Sequence, residues 1–356
     1  PSSFKEVRGL DQNLSTEITS YKSYGHGLEW IVKFVSNYIQ LSELNNKDKK
    51  ICLVISNYPV KNGRLGNGVG LNTPQSILNI LNWLKADGYD TGKSFIPRST
   101  NELMSLIIRS RTNSSDTAIN KPLDYLPISD YLKHWNNLPL DSREKIINRW
   151  SLPEKAKDLE INGFSINGIK FGNICLLIQP SRGYDQESSK DIHSPDLPPP
   201  HRYLAQYYWI EHKFKANAIC HIGKHGNLEW LPGKSVGLSS SCFPHIICPP
   251  VPIIYPFIVN DPGEGSQAKR RTHATIIDHL TPPLDRSELY GRLSTLEQLV
   301  DEYYEAKLLE SNRKEILEKS IKNIAEKEFS DVIDINNSNL IEELDSYLCE
   351  IKESQI

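Results

Sequence analysis

The composition of this chain limits how many domains it can form and which partners it can bind. With 356 residues and 38% hydrophobic content, it can bury the cores of two or more packed domains. A net charge of −3 gives no basis for a general nucleic-acid-binding surface. No run of about 18 or more apolar residues is present, so we expect no membrane span.

The cysteines and the chain ends add two expectations. The six cysteines form no CxxC pair, and Cys52, Cys175, Cys220 and Cys248 stand in apolar runs. This pattern favours reduced core cysteines of a cytosolic protein over a zinc or redox motif. Because the chain starts at Pro1, holds one Met and ends in an amphipathic segment without a stop signal, we expect a piece of a longer protein.

The first half predicts a helix and then a strand–loop–helix unit. Apolar residues recur at helical spacing between Ser23 and Leu44. Ile51 to Ser56 is an almost continuous apolar run, which is typical of a parallel strand buried on both faces. After a glycine-rich loop, Thr73 offers an N-cap and Pro74 the first helical position.

The glycine-rich loop at residues 63 to 70 has two interpretations. Free N–H groups at a helix start favour an anion site, to which Arg64 and Asn67 would contribute side chains. The alternative is a tight turn whose glycines supply positive φ angles. The loop is neither a P-loop nor a clean dinucleotide fingerprint, because no Gly-Lys-Ser/Thr follows and the third glycine comes one residue early.

A second strand–helix–strand unit follows. Asn173 to Gln179 predicts a strand, His201 to Phe214 a helix with an aromatic face, and Ala216 to Ile222 another strand. The proline-rich run Pro249 to Pro256 instead indicates an irregular extended segment rather than a central strand. We therefore predict an α/β fold with parallel-sheet units of the doubly wound type and a helical C-terminal tail.

Four parts are expected along the chain. Residues 1–50 form an N-terminal helical segment, and 51–170 a first α/β unit with the glycine-rich loop. Residues 171–285 form a second α/β unit with the candidate site, and 286–356 a helical tail. In the tail, the spacing predicts a helical pair from Ser287 to Phe329 and a further helix from Asn339 to Glu353.

The candidate chemistry lies in the loop after the strand that ends at His221. His221, His225 and Glu229 follow one another at steps of four, and Gly223 and Gly226 disfavour a continuous helix. In open α/β sheets, ligands bind at the loops that leave the carboxyl ends of strands. Two imidazoles and a carboxylate suit a divalent ion such as cobalt or zinc and leave a coordination position open. They can also accept protons near neutral pH.

A structural role for the same residues is the alternative. His221 would then be a satisfied strand-end residue, and Glu229 would pair with Lys224 or Lys234. A second feature favours an anion nearby: Lys269, Arg270 and Arg271 are predicted in the first turn or so of a helix capped by Ser266. Cations at that end oppose the helix dipole, so a bland surface helix would more often place acids there.

Five segments resemble the large subunits of the cobaltochelatase and magnesium chelatase family. They are HIGKHGNLEWLPGK, NDPGEGSQAKRRTHATIIDHLTPPL, SNYPVKNGRLGNGVGLNTPQS, IQPSRGY and SPDLPPPHRYLAQY. The resemblance spans roughly residues 25 to 305, and several of the segments are long and uninterrupted.

The resemblance implies ATP-dependent insertion of a metal into a tetrapyrrole by a ring-binding subunit. Two smaller partners, at least one an AAA+ ATPase, would hydrolyse the ATP with Mg²⁺. In the cobalt branch the ring is hydrogenobyrinic acid a,c-diamide and the ion is Co²⁺. The segments HGNLEWLPGK and DPGEGSQAKRR resemble the cobalt branch of the family more than the magnesium branch. Imidazole ligands also favour cobalt. Magnesium insertion into protoporphyrin IX, a non-catalytic tetrapyrrole-binding module and a scaffold for the ATPase partners are the alternatives.

With that resemblance, the candidate residues take specific roles. His221, His225 and Glu229 would present the ion and accept ring protons. The cations would pair with carboxylates on the ring periphery, and aromatic residues would line its flat face. The ring-binding candidates are Lys224, Lys269, Arg270, Arg271, Arg64, Asn67 and Trp230. Further candidates come from the loop before the predicted helix and from the first residue of that helix: His193, Asp196 and His201.

Overall fold

The computed structural model describes most of the chain. The described residues are 3–57, 65–66, 71–93, 95–114, 117–183, 196–223, 226–256, 262–278, 292–308, 313–328, 335, 337 and 339–354. The chain divides into two compact units, one of residues 1–185 and 195–280 and the other of residues 186–194 and 281–356. Among the described residues, no helix combines the length and apolar character that a membrane crossing requires.

The strands and helices lie as follows. The strands are β1 (Ser3–Asp11), β2 (Thr16–Ser23), β3 (Ile51–Ile55), β4 (Asp124–Leu126), β5 (Leu159–Glu160), β6 (Gly163–Ile166), β7 (Gly168–Phe171), β8 (Ile174–Ile178), β9 (Ala218–Ile222), β10 (Ile253–Pro256) and β11 (Thr275–Ile277). The helices are α1 (Gly25–Glu43), α2 (Thr73–Ala86), α3 (Thr100–Arg109), α4 (Ile128–Trp135), α5 (Leu140–Trp150), α6 (His201–Tyr208), α7 (Phe243–Ile247), α8 (Pro262–Arg271), α9 (Arg292–Leu308), α10 (Arg313–Glu328) and α11 (Leu340–Ser354). A π-helical turn, Trp209–Phe214, extends α6, and Leu228–Trp230 is a short 3₁₀ turn.

A six-stranded sheet with the order β11-β10-β9-β3-β8-β7 organises the first unit. Its strands are parallel except β7, which runs antiparallel to β8. Every residue of β3, β8 and β9 is buried. Continuous apolar runs of this kind belong to strands covered on both faces, so the predicted α/β fold with a mostly parallel sheet is confirmed.

Helices cover both faces of this sheet. Along β3, Leu53 packs in one core with Leu81 of α2, whereas Val54 packs in a second core with Tyr203 and Tyr207 of α6. Successive strand residues point to opposite faces, which explains why neighbours enter different cores. The arrangement is of the doubly wound type and brings α6 beside the ends of β8 and β9.

The second unit contains the helical tail. Residues from α9, α10 and α11 form its apolar core, including Val300, Ile321 and Leu344. The predicted helical pair and the final helix are therefore confirmed.

Three local predictions are corrected by the structure. Asn72, not Thr73, caps α2, and its side chain accepts a hydrogen bond from the N–H of Gln75 at 3.1 Å. β10 is an internal strand, paired with β9 and β11, because its prolines fall at the ends: Pro252 precedes it and Pro256 closes it. The helical segment expected over residues 1–50 is wrong for its first part, where β1 and β2 form a hairpin. Exposed residues on both faces of the hairpin hide the alternation that identifies strands.

Candidate functional site

Buried polar side chains collect at the edge of the sheet where the parallel strands end. Gln179 follows β8, His221 stands near the end of β9, and Glu229 lies in the 3₁₀ turn beyond β9. Each is at most 3% exposed. Carboxyl ends of parallel strands meet at one edge, which is where open α/β sheets bind ligands. We call the connected set the polar cluster: Gln179, Tyr203, Tyr207, His221, Glu229, Tyr255 and Arg271.

Glu229 is held in place by the aromatic hydroxyl of a neighbouring strand. The Tyr255 hydroxyl of β10 donates to Oε1 of Glu229 at 3.2 Å, and the same hydroxyl accepts from the backbone N–H of Gly226. A side chain at Gly226 would put its Cβ 2.9 Å from Oε2 of Glu229. A Cβ at this position would therefore displace the Glu229 carboxylate from where Tyr255 holds it.

Arg271, the last residue of α8, fixes the backbone of the same turn. Its guanidinium donates to the carbonyl oxygens of Glu229 and Leu231, each at 2.7 Å. Arg271 is only 7% exposed. Bidentate bonds from a charged group are strong and directional, so this residue positions Glu229 through its main chain.

His221 is enclosed by two tyrosine rings. The Tyr207 and Tyr255 rings lie nearly parallel to the imidazole, with centroids 6.4 Å and 5.8 Å away. Within the described residues, Nε2 of His221 has no hydrogen-bond partner. Burial lowers the pKa of His221 to about 4, so the ring is neutral at pH 7. A neutral imidazole is the form that binds metal ions, and a buried nitrogen without a partner is typical of a functional site.

Two tyrosine hydroxyls and an amide complete the cluster. Gln179 donates through Nε2 to the hydroxyls of Tyr203 and Tyr207, at 3.0 Å and 3.2 Å. Burial raises the pKa of both tyrosines well above the usual value, so they stay protonated. Oε1 of Gln179 has no hydrogen-bond partner in the described part of the chain. The cluster thus combines neutral amide, imidazole and tyrosine groups with one buried carboxylate and the Arg271 guanidinium.

Several predicted site residues lie outside the described residues. They are Lys224, His225, Arg64, Asn67 and His193. Of the glycine-rich loop, Leu65 and Gly66 are described, and Gly66 has a φ of 72°, as the turn interpretation expects. Within the described residues, no group of three His, Cys, Asp or Glu side chains could hold a metal ion. The trio of His221, His225 and Glu229 therefore stays a prediction.

The structure gives His201 a different role from the predicted one. The ring is fully buried; Nδ1 bonds the Tyr131 hydroxyl at 2.7 Å, and Nε2 lies 3.0 Å from the carbonyl oxygen of Ser151. Both nitrogens are engaged within the protein, so His201 stabilises the packing of α6 and has no free edge for a tetrapyrrole.

The argument from the helix dipole for Lys269, Arg270 and Arg271 is also wrong. The helix begins at Pro262, so these cations stand in its last turn, where the dipole stabilises them. Lys269 and Arg270 are exposed, whereas Arg271 binds the turn described above. Among the remaining candidates, Trp230 is half-buried at the end of the 3₁₀ turn and Asp196 is exposed.

Sequence reasoning missed two members of the cluster. Gln179 was predicted only as the end of a strand, although a polar residue directly after a buried apolar run is a usable signal. Tyr255 lies in the proline-rich run Pro249 to Pro256, whose composition predicts an irregular segment and therefore gives no strand position for this side chain. Tyr203 and Tyr207, spaced by four on α6, were noted only as part of an aromatic helix face.

Fold and site together define an α/β protein with a buried acid, imidazole and tyrosine cluster at the carboxyl edge of a parallel sheet. The chain matches the CobN/Magnesium Chelatase family over residues 1–356, and it belongs to this family. The aerobic cobaltochelatase subunit CobN of Pseudomonas aeruginosa is 41% identical over 100% of this chain and 29% of its own length. A magnesium-chelatase subunit of Chlorobaculum parvum is 33% identical over 75% of this chain and 21% of its own length.

A solved structure agrees with these relatives. The catalytic subunit of cobaltochelatase from Mycobacterium tuberculosis superposes with a TM-score of 0.67 and 33% sequence identity. The alignment covers 99% of this chain and 30% of the solved one. The chain thus spans about 30% of the length of this solved relative.

The buried state of His221 predicts a pH dependence of folding. Because the folded pKa of about 4 lies below the unfolded value of about 6.5, the unfolded chain takes up this proton first as pH falls. The free energy of unfolding should fall by about 3 kcal/mol between pH 6.5 and pH 4 on account of this residue. Urea unfolding of native and His221→Gln protein across that range tests it. An unchanged slope in His221→Gln would contradict the assignment.

Proposed function

We propose that this chain is the tetrapyrrole-binding, metal-inserting core of an ATP-dependent cobaltochelatase. The substrate would be hydrogenobyrinic acid a,c-diamide and the inserted ion Co²⁺, in aerobic cobalamin biosynthesis. Membership of the family and the 41% identity to a CobN subunit support the assignment. The observation that carries it is the buried arrangement in which Tyr255 joins the Glu229 carboxylate and flanks the neutral His221 ring.

The reaction needs two things that the polar cluster can supply. The ion must exchange water for nitrogen ligands, and the ring nitrogens must lose their protons. The Glu229 carboxylate is the natural proton acceptor, since Tyr255 and Arg271 hold it in one position. The neutral His221 ring can ligate the ion during transfer. We propose that His225 completes this ligand set.

The exposed cations provide contacts for the periphery of the ring. Lys269 and Arg270 are exposed on α8. They directly precede Arg271, which donates to the backbone carbonyl of Glu229. Carboxylates on the ring would pair with them, and Arg270 offers the planar fork that fits a carboxylate. We extend this role to Lys224, to the glycine-loop residues Arg64 and Asn67, and to Trp230 as a ring-facing aromatic.

Cobalt fits the donor set better than magnesium. Imidazole nitrogen suits Co²⁺, whereas Mg²⁺ prefers oxygen ligands and keeps several waters. Magnesium insertion is the second candidate, because the Chlorobaculum magnesium-chelatase protein is 33% identical over 75% of this chain. Parallel assays with Co²⁺ and Mg²⁺, each with its own ring, separate the two. We further propose that AAA+ ATPase partners hydrolyse ATP with Mg²⁺ in the cytoplasm.

Absorbance titration with a metal-free corrinoid tests the proposal on this chain. We expect saturable spectral changes with native protein and with Glu229→Gln, because the substitution keeps the shape and hydrogen-bonding oxygen of the side chain. Adding Co²⁺ together with ATP and the proposed ATPase partners should alter the bound spectrum of the native protein only. Absence of any ring binding would instead support a scaffold for the ATPase partners, and identical Co²⁺ responses in both proteins would support a non-catalytic binding module.

A further inference from the structure

Two imidazoles meet on the first unit outside the polar cluster. His26 stands in the first turn of α1 and His245 in the middle of α7. Their Nε2 atoms lie 3.2 Å apart, so that the N–H of one ring can donate a hydrogen bond to the other nitrogen, and the ring planes stand at 72°. His26 is exposed and His245 is half-buried, so the pair is open to solvent on one side.

The two helices that carry the pair are fixed to one another. The Tyr24 hydroxyl donates to Oγ of Ser240 at 3.2 Å, just before α7, and the side chain of Asn37 donates to the carbonyl of Pro250 at 2.6 Å, just after it. Between these anchors the Trp30 ring packs on His245, with centroids 5.4 Å apart. Contacts on both sides of the pair hold the two imidazoles at a defined separation.

That separation matches the ligand geometry of a transition metal. Two imidazole nitrogens at about 2.0–2.1 Å from one tetrahedral ion stand about 3.3 Å apart. The Nε2 atoms of His26 and His245 are within about 0.1 Å of that value.

We propose that His26 and His245 bind a divalent transition-metal ion of the cobalt or zinc type. Within the described residues no third His, Cys, Asp or Glu joins them, so water would fill the remaining positions. A two-imidazole site of this kind binds an ion loosely and releases it readily. The inference does not depend on the proposed function, since it concerns metal binding and not insertion.

A second imidazole pair in the same unit provides a matched control. The His134 and His212 rings stack face to face, with centroids 3.8 Å apart and planes at 4°. The lone pairs of imidazole lie in the ring plane, so parallel stacked rings direct them side by side and not toward one ion. Removing this pair deletes two imidazoles without removing a chelating geometry.

Calorimetric titration of the 356-residue chain with cobalt chloride near neutral pH tests the proposal. We expect His26→Ala and His245→Ala each to weaken one binding event about tenfold or more. The double variant of His134 and His212 to Ala should match native protein for that event. Native affinity in both single variants would overturn the proposal, whatever the outcome for insertion.

A nuclear magnetic resonance measurement on the native protein tests the same proposal without relying on a variant that could misfold. Paramagnetic Co²⁺ broadens the ring resonances of the histidines that bind it. At substoichiometric Co²⁺, the signals of His26 and His245 should broaden together and those of His134 and His212 should not. Broadening that spares His26 and His245 would equally overturn the assignment.

Discussion

Under the proposed function, Glu229→Gln is expected to slow cobalt insertion about 100-fold or more, with ring affinity within about twofold of native. General base catalysis by a positioned group typically contributes about 10²–10⁴-fold, and an amide cannot take up the proton. The change removes the charge but keeps an oxygen that can accept the Tyr255 hydrogen bond of 3.2 Å. The geometry of the turn should therefore survive, and only the proton transfer should be lost.

The assay follows corrinoid absorbance after mixing ring, Co²⁺ and ATP with the protein and the proposed ATPase partners. Glu144→Gln on α5 is the matched control, because it makes the same substitution at an exposed carboxylate. A rate within about threefold of native would contradict the role of Glu229 as proton acceptor. Loss of ring binding would instead assign Glu229 to substrate recognition.

Arg271→Met should lower the free energy of unfolding by roughly 2–6 kcal/mol, because the carbonyl oxygens of Glu229 and Leu231 each lose their donor inside the protein at a cost of about 1–3 kcal/mol. Methionine fills most of the volume but supplies no N–H group. The turn of residues 228–230 would no longer be fixed, so insertion should fall together with stability.

Denaturant unfolding of Arg271→Met beside Arg270→Met measures this effect. Arg270 is the exposed neighbour on α8, and its replacement should change stability by less than about 0.5 kcal/mol. Arg271→Lys adds a second test, because one ammonium group cannot reproduce two bonds of 2.7 Å in fork geometry. Native stability in both Arg271 variants would show that this bidentate contact does not hold the turn.

Local sequence signals were enough for the elements that carry their own pattern. The strands β3, β8 and β9 were predicted from apolar runs because both of their faces are buried, and α1 and the tail helices from helical spacing. The position of His221 at the end of its strand followed in the same way. Such signals fail where burial and pairing are set by distant segments, as in β10.

The function of a polar residue was harder to predict than its location. His201 carries no local mark of a core residue, yet Tyr131 and Ser151, which are 70 and 50 residues away in the chain, take up both of its nitrogens. Arg271 was expected to pair with carboxylates of the ring, because its own helix gives no sign of the two backbone carbonyl groups, 42 and 40 residues earlier, that it binds.

The sequence alone determined the α/β class, the helical tail, the family and the loop in which the site would be sought, because periodicity and contiguous motifs are properties of neighbouring residues. Only the tertiary structure decided which side chains surround that site. Tyr255 reaches Glu229 from another strand, and Gln179 reaches the tyrosines of α6, through contacts between distant segments. The energy of a buried polar group depends on the partners that folding brings to it, and local sequence does not encode that set of partners.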